Sequence, residues 1–425
     1  MDTRPNNNLR AAFIAVTTLF FAWGFITAMI DPLIPSVGAI FSLTKRESML
    51  TQFAFFISYG VVSLPGASLV AKAGYSRSIL IALTAMIAGC LFIPYATALR
   101  SYELVLVALF VIGSGITVLQ LAANPLAAVL GAPERSHYRL TLSQSFNSLG
   151  TVISPYLGSM LLLRGGVFDS KGAAVDDAGR AASLHNIDTG FLAIAVMLVL
   201  LLVFIWRFSN RLNSSAPPPA PAHDSVLRAL RSPWALLGAA AIFLYVGAEV
   251  SIGSSLTIFL HQSDMLDVPL DRAGQITAVY WLGAMVGRFA GSVLLTRMRA
   301  TLLLTLAAAI AAVLCFCVTQ GTGMAAAACA LAVGLCNSIM FPTIFTLTLE
   351  RSSASAAGTS GLLCMAIIGG AILPQLAGKV ADASGFHTAF LVPMAAYIAI
   401  TVFAMSAAKA RIFDVRQSAA GTVAH

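Results

Sequence analysis

Along the 425 residues, long apolar stretches alternate with short polar ones. The apolar stretches fall at 11–40, 49–71, 77–98, 103–131, 140–163, 189–208, 234–261, 272–296, 300–319, 322–349, 356–381 and 386–408. A helix of about 20 apolar residues crosses the hydrocarbon core of a bilayer, and a helix satisfies its own backbone hydrogen bonds where no water is present. The pattern therefore predicts an all-α polytopic membrane protein with twelve transmembrane helices. Between the sixth and seventh stretches lies a Pro-, Ser- and Asn-rich segment containing Pro217, Pro218, Pro219 and Pro221. Such a composition cannot bury apolar surface and reads as a flexible linker. The expected organisation is a six-helix half over 1–208, a cytoplasmic linker over 209–231, and a second six-helix half with a short tail over 232–425.

Composition supports this reading and removes others. Hydrophobic residues make up 58% of the chain and charged residues only 10%, with a mean hydropathy of +0.88; a soluble domain carries about 25% charged residues. The formal charge of +8 would raise a nucleic-acid partner in a soluble protein, but here the cations set topology and no nucleic acid is expected. With a cytoplasmic N-terminus, sixteen Lys and Arg fall in inner segments and eight in outer ones, which predicts both termini inside. The polar N-terminus precedes an apolar run much longer than a signal-peptide core, so no cleavage is expected. The six cysteines lie in apolar runs without metal-ligand spacing and read as small buried hydrophobes.

The two halves echo one another. Glu134-Arg135 closes the fourth stretch and Glu350-Arg351 the tenth, while Gly150-x4-Pro155 in the fifth recurs as Gly369-x4-Pro374 in the eleventh. Duplicated halves related about an axis along the membrane normal are a transporter architecture, with substrate expected near the midplane where the halves meet.

An ionisable group inside a bilayer costs about 2.5–3.5 kcal/mol on insertion scales and marks function by default. Three such groups stand out. Asp31 lies in the outer half of the first stretch, before Pro32; a carboxyl that alternates between dry and wet surroundings can pick up a proton on one side and release it on the other, so Asp31 is the candidate proton carrier, against a capping or ion-pairing role. Glu249, in the seventh stretch, is a candidate for binding sugar hydroxyls or a second proton, with a structural ion pair or interhelical hydrogen bond equally open. Arg288 in the eighth reads as a gate or interhelix contact, a role shared with Glu134, Arg135, Glu350 and Arg351.

The neutral polar residues are more numerous: Gln120 and Asn124 four apart, Gln144 and Asn147 three apart, then Asn337 and Gln375. Each spacing puts its pair on one helix face. With Trp23, Phe146, Tyr280 and Trp281 they make a set of amide donors, acceptors and stacking surfaces suited to a neutral polyhydroxylated solute. Interhelical hydrogen bonding is the competing role. No P-loop, HExxH or Ser/His/Asp grouping is present, so nothing points to an enzyme, a cofactor or a bound metal.

Segments 19–27, 115–125, 139–150, 247–251 and 334–343, which carry Trp23, Gln120, Asn124, Arg139, Gln144, Asn147, Glu249 and Asn337, resemble the bacterial glucose/galactose transporters. These form a branch of the fucose:proton symporter family in the major facilitator superfamily, and the likeness covers nearly the whole chain. It implies the major facilitator fold, alternating access by rocking of the halves, and hexose import across the bacterial inner membrane driven by protons. It also implies a coupling role for Asp31 and a sugar-binding role for Gln144 and Asn147. Two departures stand out: Gln120 replaces the second carboxyl of the fucose symporter, and Ile30 replaces the asparagine before its aspartate. Gln120 matches the glucose/galactose branch and favours aldohexoses over fucose, while leaving proton, sodium or Glu249-based coupling open. The expected partners are a small sugar, a proton and the lipid bilayer, with the chain acting as a monomer. An N-acetylhexosamine or other sugar permease, an exporter, and a non-transporting sugar sensor are the competing readings.

Overall fold

A computed structural model describes residues 4–29, 33, 37, 40, 41, 43, 50–162, 177–215, 226–268 and 270–412. Among these residues all regular structure is helical. The helices are α1 (Arg4–Ala28), α2 (Leu50–Ala73), α3 (Tyr75–Ala98), α4 (Tyr102–Val129), α5 (Ser136–Leu162), α6 (Asp177–Ser215), α7 (Pro233–His261), α8 (Leu270–Leu294) and α9 (Ala300–Gln320). Three further helices are segmented: α10 (Gly323–Asn337 and Met340–Arg351), α11 (Ala356–Met365, a 3-10 turn Ala366–Ile368, and Gly369–Ser384) and α12 (Phe386–Ala389 and Leu391–Lys409). Each of the twelve apolar stretches thus contains one of these helices. Eleven helical spans among the described residues are long and apolar enough to cross a membrane. The twelfth helix, α5, carries Arg139, Gln144 and Asn147.

Local chemistry sets several ends. Ser101 caps α4 by accepting from Leu104 N at 3.3 Å, and Ser355 caps α11 by accepting from Gly358 N at 3.2 Å. Ser232 caps α7 just before Pro233, whose missing N–H is no loss in a first turn. Helix α6 runs through Ser215, into the segment that composition assigns to a linker.

Contacts divide the chain into two compact units, Met1–Leu130 with Phe146–Pro219, and Gly131–Ser145 with Ala220–His425. In the first, α4 is the interior helix, 67% of its apolar window being buried against 33% for α6. In the second, α7 and α10 are 56% buried and α11 67%, while α9 is only 28% buried. The outward faces carry Leu200, Trp206, Val313 and Phe316, as lipid permits. This also accounts for Cys317, which is exposed rather than buried like Cys90, Cys315 and Cys364: a lipid-facing thiol gives up no hydrophobic contact.

The Gly-Pro echo has a shared structural meaning. In the first unit a Cβ on Gly150 would lie 2.8 Å from the backbone nitrogen of Phe25, so α5 sits directly on the backbone of α1. In the second, a Cβ on Gly369 would lie 2.8 Å from the Phe243 carbonyl carbon on α7. Each glycine is the notch that seats the opening helix of its unit, the close approach on which membrane helix packing relies. The other echo does not carry over. Glu134 and Arg135 are exposed in a 3-10 turn, Pro133–Arg135, whereas Glu350 and Arg351 finish α10 as an ion pair.

Gly150→Ala is expected to destabilise the folded protein in detergent by about 1–3 kcal/mol, the usual range for overpacking. Gly378→Ala on α11, where a Cβ meets nothing within 4 Å, should leave the melting temperature unchanged or raised. Equal melting temperatures for both variants would contradict the notch.

Candidate functional site

The buried amides come from α4 and α5, with Gln120, Asn124 and Asn147 in the first unit and Gln144 on the part of α5 that belongs to the second. Gln120 and Asn124 lie one turn apart on α4, 6% and 0% exposed. Gln120 Nε2 donates to Tyr59 OH at 2.7 Å. This leaves the Gln120 carbonyl oxygen to face other donors, and Tyr59 is itself fixed by Phe55 and Phe56, with ring centroids at 6.2 and 5.9 Å. Asn147 Nδ2 donates to the Phe20 carbonyl at 3.0 Å, tying α5 to α1 just above the Gly150 notch. Trp23 is buried and packs on Phe20 at 4.2 Å between centroids. Gln144, three residues before Asn147, is 5% exposed. A neutral amide desolvated in this way needs hydrogen-bond partners, and carboxylates are absent from this set.

Asp31 lies outside the described residues. Phe146 and Trp281, expected as stacking surfaces, are 37% and 42% exposed; Tyr280 is fully buried and meets Trp281 edge-on at 5.1 Å. Gln375 is exposed.

The second unit holds charges instead. Glu249 on α7 and Arg288 on α8 pair with Oε1 3.8 Å from Nη2, their side chains 13% and 12% exposed. Arg288 Nε also donates to the Ser338 carbonyl at 3.1 Å, in the gap between the two segments of α10. Asn337 Nδ2 donates to Tyr280 OH at 2.7 Å, and that hydroxyl donates to the backbone carbonyl of Glu249 at 3.2 Å. Two bridges thus run between α7, α8 and the break in α10. The break lies close against α8 because Gly287 faces Ser338, where a Cβ would come within 2.6 Å of the hydroxyl. Arg288 therefore makes the interhelix contact that its sequence position left open beside a gate.

A second cluster joins the start of α5 to the end of α10, within the same unit. His137 Nε2 is 3.1 Å from Glu350 Oε1, its Nδ1 is hydrogen-bonded with Thr346 Oγ1, and Ser136 Oγ donates to Glu350 at 3.2 Å. Arg351 is buried, donating to Ala407 O at 2.9 Å and Leu347 O at 3.1 Å. Arg139 is the corresponding buried cation of the α4–α5 connection, donating to Ala132 O at 2.7 Å. Sequence reasoning overlooked Tyr59 and His137. The signal for each was present: a tyrosine hydroxyl inside an apolar run must find a partner, and a histidine beside a charged helix end is an ion-pair candidate.

Known proteins agree with this architecture. The chain is 41% identical to the glucose/galactose transporter of Brucella abortus biovar 1 (strain 9-941) over 409 residues, covering 96% of this chain and 97% of that one. It is 31% identical to the L-fucose-proton symporter of Escherichia coli (strain K12), covering 95% and 94%. Its fold superposes on the crystal structure of FucP, a transporter solved in the outward conformation, with a TM-score of 0.82 and 26% identity over 93% of this chain and 98% of that one. Residues 13–363 match the family described as Major Facilitator Superfamily. With helices, buried amides and relatives all in accord, the chain belongs to the major facilitator superfamily of transporters.

Proposed function

We propose that the protein is a proton-coupled symporter importing a neutral hexose of the glucose/galactose type across the bacterial inner membrane, with both termini cytoplasmic. The observation that carries the substrate class is the pair Gln120 and Asn124 on the most buried helix of the first unit, uncharged, with Gln120 oriented by Tyr59. Each sugar hydroxyl both donates and accepts, as an amide does, and this pair carries no charge that would ask for a cation. The relatives named for glucose/galactose and for L-fucose-proton transport support the same reading.

In this account Gln120, Asn124, Gln144 and Asn147 bind hydroxyls, Asn337 assists, and Asp31 carries the proton. Protonating Asp31 removes a buried charge and lets the loaded carrier reorient; the empty, deprotonated carrier returns by a different step. Transport proceeds by alternating access without covalent chemistry. The His137–Glu350–Arg351 cluster is a contact that has to loosen for the start of α5 and the end of α10 to part.

Asp31→Asn is expected to keep counterflow of labelled sugar while losing accumulation against a gradient; accumulation equal to wild type would remove Asp31 from the mechanism. Tyr59→Phe, which leaves the Gln120 amide undirected, should raise KM for galactose about three- to tenfold, the size of one hydrogen bond of about 0.5–1.5 kcal/mol. An unchanged KM would detach Gln120 from the sugar. In uptake competition, glucose and galactose should compete more strongly than fucose or N-acetylglucosamine. The reverse order would favour an acetylhexosamine permease.

A further inference from the structure

Four sealed polar atoms of the second unit make no hydrogen bond among the described residues, and they come from three helices. Tyr245 OH and Glu249 Oε1 lie one turn apart on α7, Asn337 Oδ1 closes the first segment of α10, and Tyr397 OH is on α12. Tyr245, Asn337 and Tyr397 are 1%, 0% and 0% exposed. The four are gathered in one place: Tyr245 neighbours Glu249 and Tyr280, and Tyr397 neighbours Asn337, Tyr280 and Glu249. Tyr280 stands among them with its own hydroxyl engaged, accepting from Asn337 Nδ2 at 2.7 Å and donating to the Glu249 carbonyl at 3.2 Å. The bond to Tyr280 sets the Asn337 carboxamide, and Oδ1 is the acceptor left over.

A buried polar atom without a partner is costly, and native proteins hold few of them. Four together, with complementary roles, make a site. A phenol hydroxyl donates and accepts, whereas amide and carboxylate oxygens only accept, so these four oxygens carry two protons between them. What the set lacks is a small molecule that brings protons of its own.

We propose that Tyr245, Glu249, Asn337 and Tyr397 form a buried water-binding site in the interior of the second unit. Ordered water there donates to Asn337 Oδ1 and Glu249 Oε1 and accepts from the two tyrosine hydroxyls. Buried waters make about three such bonds to groups that would otherwise go unsatisfied. Glu249 keeps 13% of its side chain accessible while Oε1 is sealed, which gives water a way in. The site solvates a carboxylate within a membrane-spanning helix whose contact with the Arg288 guanidinium, at 3.8 Å, is longer than a charge-assisted bond. It also ties α7, α10 and α12 together through solvent. The same oxygens could hold a small monovalent cation, but the guanidinium beside Glu249 opposes a second positive charge.

Radiolytic footprinting of the purified protein reads the site directly. Hydroxyl radicals arise from water, so a sealed ring is oxidised only where water is bound beside it. Tyr245 and Tyr397 are expected to be oxidised several-fold above Phe55 and Phe345, which are as deeply buried. Oxidation of both tyrosines at the phenylalanine background overturns the proposal. Thermal melts of Tyr245→Phe and Tyr397→Phe give a second reading, in which the sign decides. Deleting a hydroxyl that has no partner relieves a cost and leaves the melting temperature unchanged or raised; deleting one that binds water removes a hydrogen bond and lowers it, here by about 1–3 °C. A melting temperature unchanged or raised in both variants overturns the proposal as well. A wild-type melting temperature that climbs with sodium chloride but not with choline chloride also overturns it, assigning the site to a cation. Neither readout involves transport, so the outcome is separate from that of the symporter reading.

Discussion

A polar group inside a bilayer has no water to turn to, and the whole arrangement of this chain follows from that constraint. It makes every crossing segment a helix, and it makes each buried side chain with a hydrogen-bonding atom either a link between helices or a contact for a solute. Asn147 reaching the Phe20 carbonyl and Arg351 reaching the Ala407 carbonyl are links. The same rule lets leucines, phenylalanines and a cysteine face outward without penalty. Small residues then set how near two helices come, which is why Gly150 and Gly369 do the same work in two units built from different surroundings.

The units share that scaffold and differ in the chemistry placed on it. The first carries the uncharged amides Gln120, Asn124 and Asn147 on α4 and α5. The second places a carboxylate and a guanidinium beside the junction between the two segments of α10.

Much of this was legible along the chain. Runs of apolar residues of bilayer length marked all twelve helices, and the spacing of Gln120 with Asn124 and of Gln144 with Asn147 put buried amides on the right helices. What stayed hidden needs the third dimension. Whether Glu249 and Arg288 meet depends on the rotation and register of α7 against α8, which a sequence separation of that length does not encode. Tyr59 is hydrogen-bonded by Gln120, two helices away in the chain. Phe146 and Trp281 are partly exposed, and hydropathy alone does not tell a lipid-facing ring from a solute-facing one. The repeated Glu-Arg pairs looked equivalent and are not, since the three-residue turn at Pro133 frees one pair while α10 holds the other.

The most direct test of the central claim is uptake of labelled glucose and galactose into proteoliposomes carrying the purified protein, with and without an inward proton gradient and beside protein-free vesicles. Accumulation above the external concentration only when the gradient is present is the predicted result. Equilibration that ignores the gradient, or no flux above protein-free vesicles, would contradict it.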